Sequence, residues 1–346
     1  MTMEIDYTPA TAAPLNRNLE GLDEGTLHHY AMHYAIYGTH SEDEYHQLVL
    51  DMRDIYSRGT IVDLVDYFCS SIAFPAYPWV QDTEQTLATY LNFAANYFRN
   101  QARTREEGMP NIPFFSLPKT ASSFVNNILA NGLDIPYTMI SWHGIKAIKA
   151  WAEIFTKGPG VLHDHLHPEN DNAVTLKASG LQRAILHVRD PRQMLLSLAH
   201  HSQADGGYWR MDSKLFGYNK INMSEHDLDY TIDLMLEDRH PKRCAKWLDD
   251  WHKLAPDVEI FVSRYEKLHA EPQAFLSEVV EFCGGDSQVQ EKLAEYWKQN
   301  TEDQAHTGYN FRSGKVDEWK KVLLPRHLKL IEEQLDGTSL GKFYLA

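Results

Sequence analysis

Three stretches of this chain carry side chains that can hold an anion or move a proton. Lys119-Thr120-Ala121-Ser122-Ser123 sets an ammonium beside a run of hydroxyls. Arg189 is followed eight residues later by Ser197, a guanidinium and a hydroxyl that can meet on one oxyanion if a helix carries the second. His163, Asp164, His165 and His167 form the third group. On a strand, His163 and His165 point to one face and Asp164 to the other. The first two groups suit a phosphate-like ester. The third suits proton transfer near neutral pH or, as a rival reading, chelation of a metal, for which no remote further ligand declares itself. The first stretch is not the nucleoside-triphosphatase loop, since G-x-x-x-x-G-K-[ST] needs glycines ahead of the lysine and none is present.

Each group sits where a strand should give way to a turn or helix. Ile112–Leu117 is an apolar run with aromatic enrichment, which predicts a buried strand closed by Pro118. Phe124, Val125, Ile128 and Leu129 then recur at helical spacing, and Asn131-Gly132 predicts the stop. A strand-to-helix turn aims backbone N–H groups and the positive end of a helix dipole at one point, so Lys119–Ser123 is a natural anion cradle. Ala184–Val188 predicts a second strand, with a loop and helix from Arg189 that places this residue where open α/β sheets hold their ligands. Arg183 and His187 receive no catalytic role. A helix is expected over Gly144–Phe155, a short strand at Val161-Leu162, and a strand at Glu259–Ser263. Helices are expected around Trp247–Leu254, Gln273–Phe282, Gln288–Lys298 and Arg326–Leu335. Strands alternating with helices predict a parallel α/β sheet flanked by helices. The stretch 205–239, with Tyr208, Trp209, Phe216 and Tyr218, is too long for a simple connection and reads as a substrate-facing insertion.

Ahead of this unit, residues 1–22 read as a loose arm and 23–105 as a helical annex, leaving 106–346 as the α/β domain. His28, His29 and His33 share a face of the annex only in part, which fits solvated or core histidines better than a metal site. A net charge of −15 argues against nucleic acid or an anionic membrane as partner, and any anionic ligand must be held by a local basic cluster. Cys69, Cys244 and Cys283 form neither a disulfide framework nor a metal pattern. With no signal-like start and no long uncharged apolar run, a cytoplasmic protein is expected.

Taken together and in order, four segments resemble the sulfotransferases that use 3′-phosphoadenosine-5′-phosphosulfate (PAPS). PKTASSF (118–124) is similar to their 5′-phosphosulfate loop and VRDPRQMLLS (188–197) to their 3′-phosphate motif. SRYEKL with AFLSEVVEFCG (263–284) and FRSGKVDEWKKVL (311–323) are similar to two later segments. The resemblance implies a P-loop nucleotide-hydrolase-like fold, PAPS as cofactor with PAP as product, and no metal. It implies that Lys119, Thr120, Ala121, Ser122 and Ser123 hold the phosphosulfate, with Lys119 stabilising charge on the departing phosphate. Phe124 and Tyr265 would lie against the adenine, while Arg189, Ser197, Arg312, Ser313 and Gly314 would hold the 3′-phosphate. HDHLHP (163–168) is similar to the family's KTHLP segment, which makes His165 the base for the acceptor, His163 standing where the family has lysine. The catalytic set is then His165, Lys119 and Ser197, with His163 and Asp164 kept as alternative bases.

Some positions depart from the pattern. Ala121 stands for the usual glycine and Ser313 for the usual lysine, with Lys315 as a substitute, and Glu318 replaces a late glycine. The activity implied is sulfuryl transfer to a hydroxyl, ahead of an amine, of a small-molecule or carrier-tethered acceptor. The rivals are a P-loop-type small-molecule kinase, which lacks its glycine-rich loop here, and a non-catalytic PAP- or PAPS-binding protein. Acceptor identity and oligomeric state have no signature in the chain.

Overall fold

The computed structural model describes residues 103–142, 146–147, 152, 155–156, 158–169, 171–204, 208–212, 217–223, 225–304 and 314–345. The arm, nearly all of the annex with its three histidines, Phe216, Arg312 and Ser313 lie outside them.

Five parallel strands form the central sheet in the order β2-β5-β1-β6-β9. They are β1 (Asn111–Ser116), β2 (Tyr137–Thr138), β5 (Gly160–Asp164), β6 (Arg183–Val188) and β9 (Glu259–Arg264). Phe114 of β1 pairs with His163 on one side and Ile185 on the other. The chain therefore leaves β1 toward one edge of the sheet and later returns on its other side. That reversal is where open α/β sheets leave a crevice at the strands' carboxyl ends.

The strands read as continuous apolar runs because both faces are covered. Alternation sends Phe115, Leu162 and Leu186 to a core shared with α3 (Pro191–Ala204), α4 (Leu228–Glu237), α5 (His240–His252), α10 (Pro325–Leu335) and α11 (Ser339–Tyr344). Ile112, Phe114, Val161 and Ile185 go to the other face, under α1 (Ser122–Leu133), α7 (Pro272–Phe282) and α8 (Ser287–Gln304). Full burial of a side chain such as Phe114 contributes about 2–3 kcal/mol. Ser116, His163 and His187 follow the same alternation onto the second face, so polar groups line its carboxyl rim.

Three local expectations need correction. Gly132 does not stop α1, which runs to Leu133 and is capped by Asp134 in the left-handed region. The glycine serves close approach instead, since a Cβ there would lie 2.7 Å from a Leu293 methyl of α8. The helix expected over Gly144–Phe155 begins as backbone of another kind: Lys146-Ala147 (β4) pairs antiparallel with Ser141-Trp142 (β3), and Asn172 of α2 (Asp171–Ala178) accepts from the Ala147 N–H. The stretch 205–239 is only half an insertion. Tyr208–Asp212 (β7) and Gly217–Ile221 (β8) make an antiparallel hairpin. Leu228–Glu237, by contrast, is α4, N-capped by Asp227 and buried in the core through Ile232 and Met235. The acidic and aromatic residues of 227–230 disguise its apolar face.

Candidate active site

The turn from β1 to α1 has an unusual backbone. Lys119 and Ala121 both take left-handed conformations, with φ of 66° and 64°. Alternation of such residues makes a concave nest of N–H groups suited to an anion. For a side chain with a Cβ this region costs about 1–2 kcal/mol per residue, so something else must hold it. Thr120 is wholly buried between the two, and its hydroxyl donates to the Leu117 carbonyl at 2.7 Å. What Thr120 can offer a ligand is therefore backbone, not hydroxyl. Ala121 is the N-cap of α1 and brings no side chain to the helix's first N–H groups. Ser122 is buried, Ser123 exposed, and Phe124 half-buried, edge-on to Trp297 of α8 at 5.9 Å.

Arg189, at the end of β6, is 6% exposed and joins three segments. One guanidinium nitrogen donates to the Lys119 carbonyl at 3.0 Å and another to the Lys315 carbonyl at 2.7 Å. Its plane lies 4.0 Å from the centre of the Tyr265 ring. Tyr265 opens α6 (Tyr265–Ala270), just past β9, and its hydroxyl donates to the Gly314 carbonyl at 2.6 Å. Gly314 itself has a φ of 63°. Lys119, Arg189, Tyr265 and Gly314 are thus brought together. Ser197 is half-buried on α3, the helix that follows Arg189.

His163 and His165 lie edge to face, 5.0 Å apart, with different further partners. His165 Nδ1 lies 2.8 Å from the Ser116 carbonyl oxygen. A carbonyl only accepts, so Nδ1 carries the hydrogen and, in the neutral ring, Nε2 keeps the lone pair. His163 is buried against the Ser116 hydroxyl at 3.1 Å and the Tyr137 hydroxyl at 3.3 Å. Burial, with smaller contributions from His165 and His187, lowers its pKa to about 3. Asp164 turns to the other face, where its carboxylate accepts from the Ser141 hydroxyl at 2.5 Å and the Ile140 N–H at 3.1 Å. Its pKa is raised, chiefly by burial.

His167 stands apart from that group. Its ligand atom lies within 4.8 Å of those of Glu169 and Asp250, and the Lys246 ammonium pairs with both carboxylates. His163 and His165 therefore share the Ser116 hydroxyl, at 3.1 and 3.2 Å, while Asp164 and His167 turn to partners of their own.

A family model described as a sulfotransferase domain matches residues 159–339, just over half of the 346-residue chain. The chain belongs to the sulfotransferase family. No curated protein sequence matches this sulfotransferase. Among solved structures it is similar to mouse sulfotransferase SULT7A1 complexed with PAP, at 16% identity and a TM-score of 0.47, covering 68% of this chain and 86% of that one.

The residues of this sulfotransferase that sequence reasoning passed over are Ser116, Tyr137, His187 and Ser263. Ser116 ends β1, His187 and Ser263 are paired penultimate residues of β6 and β9, and Tyr137 opens the two-residue β2. A polar residue interrupting an apolar strand is the signal that could have found them.

Proposed function

We propose that this sulfotransferase moves the sulfuryl group of PAPS to a hydroxyl, ahead of an amine, of a small-molecule or carrier-tethered acceptor, releasing PAP. The observation that carries the reading is an anion nest and a histidine with a free Nε2 at the ends of neighbouring strands, β1 and β5. The residues present fit an anionic nucleotide: a left-handed nest, a lysine, and a helix start with alanine at its cap.

When bound, PAPS supplies an activated sulfuryl group attached to a phosphate that can leave. Lys119 places positive charge where negative charge gathers on that phosphate, and the backbone of Thr120, Ala121, Ser122 and Ser123 surrounds it. Arg189 and Ser197, with Arg312, Ser313 and Gly314, hold the 3′-phosphate, and Phe124 and Tyr265 bound the adenine. His165 takes the acceptor's proton at Nε2, its ring oriented by the Ser116 carbonyl. The sealed ring of His163 and the spent carboxylate of Asp164 favour His165 over both as base. The domain doing this is 106–346. A cytoplasmic setting is in keeping with two buried free thiols, Cys244 and Cys283. Among the described residues no helix is long and apolar enough to cross a membrane.

A thermal-shift comparison tests the ligand: PAP should stabilise the protein, while ATP with magnesium and NAD should not. Stabilisation by ATP with magnesium alone would replace the reading with that of a kinase. Transfer of labelled sulfate from PAPS to hydroxyl-bearing metabolites tests the reaction.

A further inference from the structure

His187 is fully buried in β6, between the rings of Phe114 at 5.1 Å and Phe275 at 5.5 Å. A polar ring in so apolar a place needs both nitrogens satisfied, and both are. Nε2 lies 2.9 Å from the Thr120 carbonyl oxygen, and Nδ1 lies 2.9 Å from the Ser263 hydroxyl of β9. The carbonyl can only accept, so Nε2 bears the hydrogen. Burial lowers the ring's pKa to about 3, with Arg189 acting in the same direction, so the ring is neutral and Nδ1 accepts from Ser263.

The consequence lies in the peptide plane. In a trans peptide the N–H points opposite to the C=O. A Thr120 carbonyl drawn down to His187 therefore turns the Ala121 N–H outward, away from the core. Two residues on, just past the end of β6, Arg189 does the same to the preceding carbonyl, that of Lys119. Consecutive carbonyls of the turn are thus held by His187 of β6 and by Arg189, one residue past that strand's end. The left-handed backbone at Lys119 and Ala121, costly for residues with a Cβ, is what this holding imposes.

We propose that His187 is a positioning residue for sulfuryl transfer: by donating from beneath to the Thr120 carbonyl, it fixes the nest that receives the 5′ end of the nucleotide. This rests on the reading of the β1–α1 turn as the PAPS cradle. His187 touches no substrate; it acts through Thr120 and Ala121.

Titration calorimetry with PAP on the full chain tests it, using three replacements that fit the same slot. His187→Phe keeps the ring between Phe114 and Phe275 but donates nothing. His187→Asn can satisfy Ser263 but not reach Thr120. His187→Gln places an amide N–H near the site of Nε2. PAP binding should weaken about tenfold in the Phe and Asn variants, as a buried carbonyl loses its donor, and recover in the Gln variant. Binding unchanged in His187→Phe, or equal loss in Asn and Gln, overturns the proposal. Failure of the wild-type protein to bind PAP at all would instead overturn the cradle reading beneath it. Should the variants not fold, nitrogen-15 spectra of histidine-labelled wild-type protein decide. The proposal requires a neutral His187 carrying its hydrogen on Nε2 with and without PAP, and a ring protonated on Nδ1 overturns it.

Discussion

The turn leaving β6 takes most of its shape from neighbours in the chain. Asp190 accepts from the Arg192 N–H at 2.9 Å and from its guanidinium at 2.9 and 2.7 Å, and α3 begins at once with Pro191. Its links farther along the chain run from the Asp190 N–H to Glu266 at 2.8 Å and from the Arg192 guanidinium to the Tyr344 carbonyl at 3.0 Å. The turn leaving β1 is held from outside. Its Lys119 and Thr120 carbonyls hang from Arg189 and His187, 70 and 67 residues away. A turn of the first kind can be copied as a short motif. One of the second kind exists only once the sheet has formed, so its binding geometry is a property of the fold.

Variants should separate the two. Under the proposed mechanism, Lys119→Ala should cost the most, about 10²–10³-fold in kcat, because charge on the leaving phosphate loses its nearest counter-charge. His165→Ala should cost about 10²-fold in kcat, measured with labelled PAPS. His163→Ala should act mainly on stability, and the reverse pattern would exchange their roles. Arg189→Ala should raise the KM for PAPS about tenfold, since it frees the Lys119 and Lys315 carbonyls as well as removing charge near the nucleotide. Asp190→Asn, by contrast, should lower stability by about 1–3 kcal/mol in denaturant melts and change that KM less. If Asp190→Asn damaged PAPS binding as much as Arg189→Ala, the two turns would not be independent.

Acid should bear on the turn leaving β1 through His187. His163 and His187 have folded-state pKa values near 3, below the ordinary 6.5. The unfolded chain therefore binds protons first. Stability is full above about pH 6.5 and falls progressively as the pH drops toward 3. His187→Phe should flatten part of that fall in urea melts at pH 7 and pH 5. The smallest effect is expected for Ala121→Gly. Removing the Cβ relieves about 1 kcal/mol of native strain, largely offset by the greater freedom of glycine when unfolded.

This contrast also explains what could be read from residues alone. Lys119, Arg189 and His165 sit at the junction of strand and turn, where local pattern gives both the element and the direction of its end. The parallel sheet was legible for the same reason. His187 was not, because a histidine in an apolar run shows neither partner, and Ser263 lies 76 residues on. Ser116 looked like the tail of a strand until β5 brought His163 and His165 against it. Gly132 was misread because a glycine at a helix end and a glycine at a helix crossing look alike until the crossing helix is present. The acidic start of α4 hid a core helix in the same way.

Gly132 bears on more than the end of α1. Its contact with Leu293 grips the helix at one end, while the carbonyls ahead of its first turn are gripped by β6 at the other. A rod clamped at both ends does not swing. Under the proposed function, an anion seated in the hollow before it would lose less of its affinity to ordering that turn.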